Sequence, residues 1–260
     1  MDDITYSVDD RVATITLRRP EAKNAFTLDM VDAWADFVRQ AHRAPDVGAV
    51  VVTGSGDAFC AGGDLSMIAD LDRSPLVGKR VLTEHIHQVA LAMEDLDKPS
   101  IAAVNGVAVG AGMDMALMCD IRFLARSARM SEGYIRLGLV PGDGGAHYLP
   151  RIVGTAKALE LLLTGDFVDA EEALRIGLVS HVVDDDALFD TAHAFAARLA
   201  AGPPLATRII TRNVHLSLRN DLRTNLDLVS AHMGLVATSE DAREARAARR
   251  DRRTPAFRGQ

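Results

Sequence analysis

The chain has 260 residues, of which 48% are hydrophobic and 25% charged, and its formal net charge is −7. That length buries a sizeable core as one large domain or a domain with an appendage, and the composition is ordinary for a soluble globular protein. The acidic balance speaks against nonspecific nucleic-acid binding, and the apolar stretches, such as 100–113, are too short and too broken by Asn105 and glycines to span a bilayer.

The first ten residues, MDDITYSVDD, resemble neither a signal peptide nor a transit peptide. Cys60 and Cys119 are too few for a disulfide framework and lack metal-ligand spacing, so the expectation is a cytoplasmic protein without a metal. Residues 4–8 and 11–17 alternate and are β-branched, which predicts a hairpin turning at Asp9-Asp10. Thr27 is suited to cap a helix over 28–43, with Met30, Val31, Trp34, Phe37 and Val38 on one face. GAVVVT at 48–53 reads as a buried strand, and helix returns over 76–96 until Lys98-Pro99 breaks it. SIAAV at 100–104 is the next strand, Gly110-Ala111-Gly112 opens a helix through Met118, and 121–125 is strand again. This repetition of strand, glycine-rich loop and helix indicates an α/β class.

From about 155 the pattern is mostly helical, over 155–163, 169–176, 185–201, 204–217 and 221–237, with strand only at 178–183. The division is an α/β core over 1–200 and a helical C-terminal region over 201–260, whose apolar faces suit packing on the core or on another subunit. REARAARRDRR at 243–253 is a solvated basic helix face or a site for a phosphate-bearing ligand.

Two loops carry the chemistry. FCAGGDL at 59–65 follows a strand, and its small residues allow close backbone approach to a ligand. VNGVAVGAGMDMALMCD at 104–120 runs from a strand through glycines into a helix, whose free N–H groups and dipole stabilise an anion. If the two loops converge, the N–H groups of Ala61 and Ala111 make a two-donor oxyanion hole. Neither loop matches a dinucleotide fingerprint or a phosphate-binding P-loop.

In this order the motifs resemble the crotonase superfamily, the enoyl-CoA hydratase/isomerase family. The resembling segments are RRPEAKNAF at 18–26, FCAGGDL, KPSIAAVNGVAVGAGMDMALMCDIRF at 98–123, GLVPGDGG at 138–145 and LTGDFVDAEEALRIGLVSHVV at 163–183. The resemblance implies a spiral of ββα units with a helical C-terminal trimerisation region, assembled as a homotrimer or a hexamer of two trimers. It also implies an acyl-CoA substrate, with coenzyme A entering as part of that substrate and no separate cofactor. It assigns Ala61 and Ala111 to the oxyanion hole. Coenzyme A would be cradled by Ala22, Lys23, Asn24, Gly63 and Asp64 and by Arg249 and Arg252 on the C-terminal helix. Met67 would line the acyl pocket.

A thioester carbonyl held by two N–H donors is polarised, and removing an α- or γ-proton then leaves an enolate-like anion. That step serves hydration, double-bond isomerisation, dehalogenation or C–C cleavage, so the fold does not choose between them. A typical hydratase of the family carries two glutamates, and here those positions hold Asp114 and Tyr134. Asp114 keeps a carboxylate and is the expected principal acid/base, although a first-turn aspartate also complements the helix dipole. Glu132, Tyr134 and Asp143 are auxiliary candidates in descending order. If 130–134 is extended, Glu132 and Tyr134 share a face, while Asp143 in the PGDGG turn is equally a turn former. The expected reaction is isomerisation or hydration of an unusual enoyl-CoA. The alternatives are a noncatalytic acyl-CoA-binding protein and a thioester hydrolase or dehalogenase using an acid as nucleophile.

Overall fold

The computed structural model describes residues 2–64, 67 and 74–260. β1 (Ile4–Asp9) and β2 (Val12–Leu17) form the expected hairpin, with Ile4 opposite Leu17. Its turn uses Asp10 and Arg11 in the left-handed region, a pair that matches the twist of the flanking strands. β3 (Ala49–Gly54) adds to β2 in parallel, and then the chain alternates between two sheets. β5 (Ser100–Val104), β7 (Ile121–Ala125) and β9 (His181–Val183) continue the first, in the order β1-β2-β3-β5-β7-β9. β4 (Ala58–Cys60), β6 (Val107–Val109) and β8 (Met130–Ser131) form a second, parallel sheet in the order β4-β6-β8. Each turn of the chain therefore lays one strand in each sheet, which is the ββα spiral.

The helices close this frame. Thr27 caps α1 (Leu28–Arg43), its Oγ1 accepting the Met30 N–H at 3.3 Å, and Met30, Val31, Trp34, Ala35, Val38 and Ala41 are buried. Lys98 stops α1 from inside, its Nζ donating to the carbonyls of Ala41 and Ala44 at 2.6 Å each. Burial brings its pKa down to about 8. The single helix expected over 76–96 is α2 (Pro75–Val81), a π-helical turn (Leu82–Ile86) and α3 (His87–Asp95). The strand expected over 178–183 shortens to β9, because Leu178 and Val179 still direct their N–H groups at the Ala173 carbonyl.

The remaining helices are α4 (Ala111–Leu117), α5 (Gly145–Val153), α6 (Thr155–Thr164), α7 (Ala170–Arg175), α8 (Leu188–Ala200), α9 (Pro204–Ser217), α10 (Leu222–Ala237) and α11 (Glu240–Asp251). The sequence reading leaves α5 unassigned, and the helix carries Pro150 inside it. α8 packs on β3 and β5. No residue of α9 or α10 is buried within the chain. Among the described residues, no helix is long and apolar enough to cross a membrane.

Candidate active site

The two glycine-bearing loops meet where β4 and β6 end. After Cys60 the chain runs beside Lys23–Phe26: the Ala61 N–H donates to the Lys23 carbonyl, the Phe26 N–H to the Gly62 carbonyl and the Asp64 N–H to the Phe26 carbonyl, each at 2.9 Å. This alternation corrects one expectation. The Ala61 N–H is already paired and does not point into the site, whereas the Gly63 N–H has no acceptor among the described residues. On the other side, Ala111 opens α4, where a first-turn N–H has no intrahelical acceptor, and none is found among the described residues. Gly112 makes the approach possible. A Cβ there would overlap the Cys60 carbonyl, so only glycine lets the start of α4 press against the end of β4.

Gly63 and Ala111 line one cavity of about 210 Å³, together with Tyr134 and Asp143. Its remaining wall is apolar, with Met67, Leu82, Ile86, Leu137, Leu139 and Val140. Met67, which the resemblance assigns to an acyl pocket, is one of these wall residues. Of residues 65–80, where the sequence places pocket residues, Leu65, Ser66 and 68–73 lie outside the described residues.

The four acid/base candidates converge, but in an order the sequence does not give. Asp143 is 3% exposed and lines the cavity, while Asp114 is 0% exposed and sits behind Tyr134. The Tyr134 phenol bridges them, its Oη lying 2.7 Å from Asp114 Oδ2, to which it donates, and 3.2 Å from Asp143 Oδ2. Glu132 is 1% exposed, does not line the cavity, and is within hydrogen-bonding reach of Asp114. The extended segment that would align Glu132 with Tyr134 is absent: β8 ends at Ser131 and a 3₁₀ turn covers Gly133–Leu137. That turn brings the two groups together by winding rather than by strand alternation.

Burial dominates the electrostatics here. It raises the pKa of Asp143 to about 7, with the Asp114 charge adding to the rise and the Tyr134 hydrogen bond opposing it. Burial also raises Asp114, against hydrogen bonds that favour its anion. Glu132 is pushed up to about 10, by burial first and by the Asp114 charge second. Tyr134 is raised well above the usual phenol value by burial and by the neighbouring carboxylates, so it stays neutral. Cys60 and Cys119 are buried free thiols at about 12, which leaves them inert.

The candidates for coenzyme A contacts separate into two groups. Asn24 is buried and occupied: its Oδ1 accepts the Arg19 N–H at 2.9 Å, and its Nδ2 donates to the Ser55 and Ala58 carbonyls at 2.8 and 2.7 Å. It holds the loop together and does not face a ligand, which corrects its assignment. Ala22 ends the 3₁₀ turn that precedes Lys23, and Lys23 is exposed with its Nζ on Asp57 at 2.5 Å. Asp64 pairs with Arg19 at 3.0 Å. Arg249 and Arg252 are exposed at the end of α11, which packs on α10, and they do not line this cavity. The sequence reading misses the Gly63 N–H as a free donor. It also misses His87, whose Nε2 lies 2.9 Å from the Gly142 carbonyl in the turn that carries Asp143.

Comparison with known proteins agrees with this geometry. A family model described as enoyl-CoA hydratase/isomerase matches residues 7–260. The 1,2-epoxyphenylacetyl-CoA isomerase of Escherichia coli (strain K12) is 37% identical, with 100% of this chain and 99% of that protein covered. The (E)-benzylidenesuccinyl-CoA hydratase of Thauera aromatica is 35% identical, with 98% and 99% covered. Among solved structures, the enoyl-CoA hydratase from Bacillus anthracis superposes with a TM-score of 0.94 at 31% identity, over 99% of this chain and 100% of the other. The spiral of alternating sheets, the paired loops at its strand ends and these similarities over the full length together make the chain a member of the enoyl-CoA hydratase/isomerase family.

Proposed function

We propose that this acyl-CoA enzyme is an isomerase, in which Asp143 moves a proton along an apolar acyl group held as its coenzyme A thioester. The observation that carries the reading is the position of Asp143. Among the described carboxyls it is the one that lines the cavity shared by the Gly63 and Ala111 N–H groups. Those two donors would hold the thioester oxygen as negative charge develops on it. Asp143 as carboxylate would take a proton from one carbon and return it to another. A pKa of about 7 suits both transfers near neutral pH. While Asp143 carries the proton, the Tyr134 oxygen 3.2 Å away can accept a hydrogen bond from it, because the phenolic hydrogen is directed to Asp114 at 2.7 Å.

A single facing acid favours proton transfer over hydration, in which a water must be both positioned and deprotonated. The apolar wall and the aryl-bearing substrates in the names of two relatives favour an acyl group with a ring or a medium-length chain. The open apolar faces of α9 and α10 support a homotrimer or hexamer, and the two buried free thiols suit a cytoplasmic setting. Arg249 and Arg252 are the proposed cations for coenzyme A phosphates, reached within the assembly.

The test is turnover of 2-enoyl, 3-enoyl, dienoyl and phenyl-bearing acyl-CoA thioesters by wild type and Asp143→Asn. The variant should lose ~10²–10⁴ in kcat. For wild type, kcat/KM should rise with pH through about 7 and level off, because the working form is the carboxylate. Tight binding without turnover across the panel would identify a noncatalytic acyl-CoA-binding protein instead. Release of free coenzyme A with an adduct on Asp143 would identify a hydrolase.

A further inference from the structure

Beneath the cavity, three oxygens have no hydrogen-bond donor among the described residues: Asp114 Oδ1 and both Glu132 oxygens, Oε1 and Oε2. All three converge on Gly145, the first residue of α5. A Cβ built there would overlap Asp114 Oδ1 and come within 2.8 and 2.9 Å of Glu132 Oε1 and Oε2. The absence of a side chain at 145 thus makes the space in which the two carboxyls face each other. Two buried carboxylates in contact, each short of a donor, are costly, and one proton between them supplies a partner to both.

We propose that Glu132 is a protonated carboxylic acid that donates its hydrogen bond to Asp114, a positioning residue that keeps Asp114 ionised and turned toward Tyr134. The asymmetry of the surroundings places the proton. Asp114 already accepts the Tyr134 O–H on Oδ2, a bond that favours its anion. Glu132 has no such donors, and burial with the Asp114 charge pushes its pKa up to about 10. The other titratable groups around the pair are Tyr134, Asp143, Tyr148 of α5, and Cys60, whose thiol the Asp143 charge also raises. None of them brings a cation to ionise Glu132. The result is a chain of oxygens, Glu132–Asp114–Tyr134–Asp143, with Glu132 at the end away from the cavity and Asp143 at the end that lines it. The effect on turnover rests on the function proposed above, whereas the protonation of Glu132 does not.

Infrared difference spectroscopy of the ligand-free protein at neutral pH, wild type minus Glu132→Gln, tests the protonation without any substrate. The carbonyl band of a neutral carboxylic acid should be present in wild type and lost in the variant. Its absence from wild type overturns the proposal. Turnover tests the positioning role. Glu132→Gln keeps a donor of the same shape and should retain kcat within about fivefold, while Glu132→Leu, which offers none, should fall about tenfold or more with KM unchanged. Equal kcat for Gln and Leu variants overturns the positioning role. A loss in Glu132→Gln as large as that in Asp143→Asn overturns it too, since Glu132 would then act as an ionised base. If Glu132→Leu does not fold, the infrared band and the Gln variant still decide. If no thioester is turned over, the infrared result stands by itself.

Discussion

α4 and α10 are built on opposite principles. All seven residues of α4 are buried, Asp114 included, whereas none of the sixteen residues of α10 is. A helix that is apolar on every side has to be enclosed by its own domain, and α4 is enclosed by β4, β6 and α5. α10 instead leaves Leu222, Leu226, Met233 and Leu235 exposed, at 72%, 56%, 63% and 57%, and α9 adds Ile210 and Val214. The candidate acids therefore sit where the single chain completes its own core. The C-terminal helices carry surface that this chain does not cover, the kind that marks an interaction site.

This contrast can be broken at either end. The largest effect is expected from Ala111→Pro. Proline is tolerated at the first position of a helix, so the fold should persist while one oxyanion donor disappears and kcat falls ~10²–10³. An unchanged kcat, with unfolding monitored by circular dichroism, would remove α4 from the site. Next comes the pair Leu226→Glu with Met233→Glu. Sedimentation should show dissociation of the assembly, while urea unfolding of the separated core changes by about 0.5 kcal/mol or less, as for ordinary surface positions. Loss of core stability instead would mean that α10 belongs to the core after all. The smallest effect is expected from Arg249→Ala with Arg252→Ala. With Arg249 and Arg252 in the proposed role of phosphate cations, their loss should raise KM several-fold at low salt and leave kcat unchanged, a difference that shrinks as salt is added.

Most of the frame is legible in the sequence because it follows from periodicity. The β1–β2 hairpin, the capped α1 and the buried strands β3 and β5 each come from a local pattern that tertiary contacts leave in place. The errors arise where orientation depends on a neighbour. Ala61 and Gly63 are both small residues in one loop, and only the pairing of that loop with Lys23–Phe26 decides which N–H is left free. Asp114 and Asp143 differ in the same way: the first-turn position suggested a working acid, but Tyr134 stands between it and the cavity. For Glu132 the reading of 130–134 as extended gave a shared face for the wrong reason, since a 3₁₀ turn winds there. The one available hint was the run of glycines after Asp143. Two adjacent glycines at a helix start signal that something large must come close, and at Gly145 it is the buried carboxyl pair.

The π-helical turn between α2 and α3 has a bearing on how such a site can be altered. Leu82 and Ile86 lie in that turn and line the cavity that Asp143 also lines, and His87, the next residue, contacts the Gly142 carbonyl beside Asp143. Wall and acid are thus yoked to one another. Enlarging the pocket by a small substitution at Leu82 or Ile86 leaves the yoke intact, so new acyl groups can be admitted with the proton-transfer geometry preserved. Moving the turn itself, by insertion or deletion between 82 and 87, drags the acid along. Evolution or design of this scaffold toward other substrates is therefore freer in side-chain size than in loop length, and variants that keep the register from 82 to 87 form the productive neighbourhood.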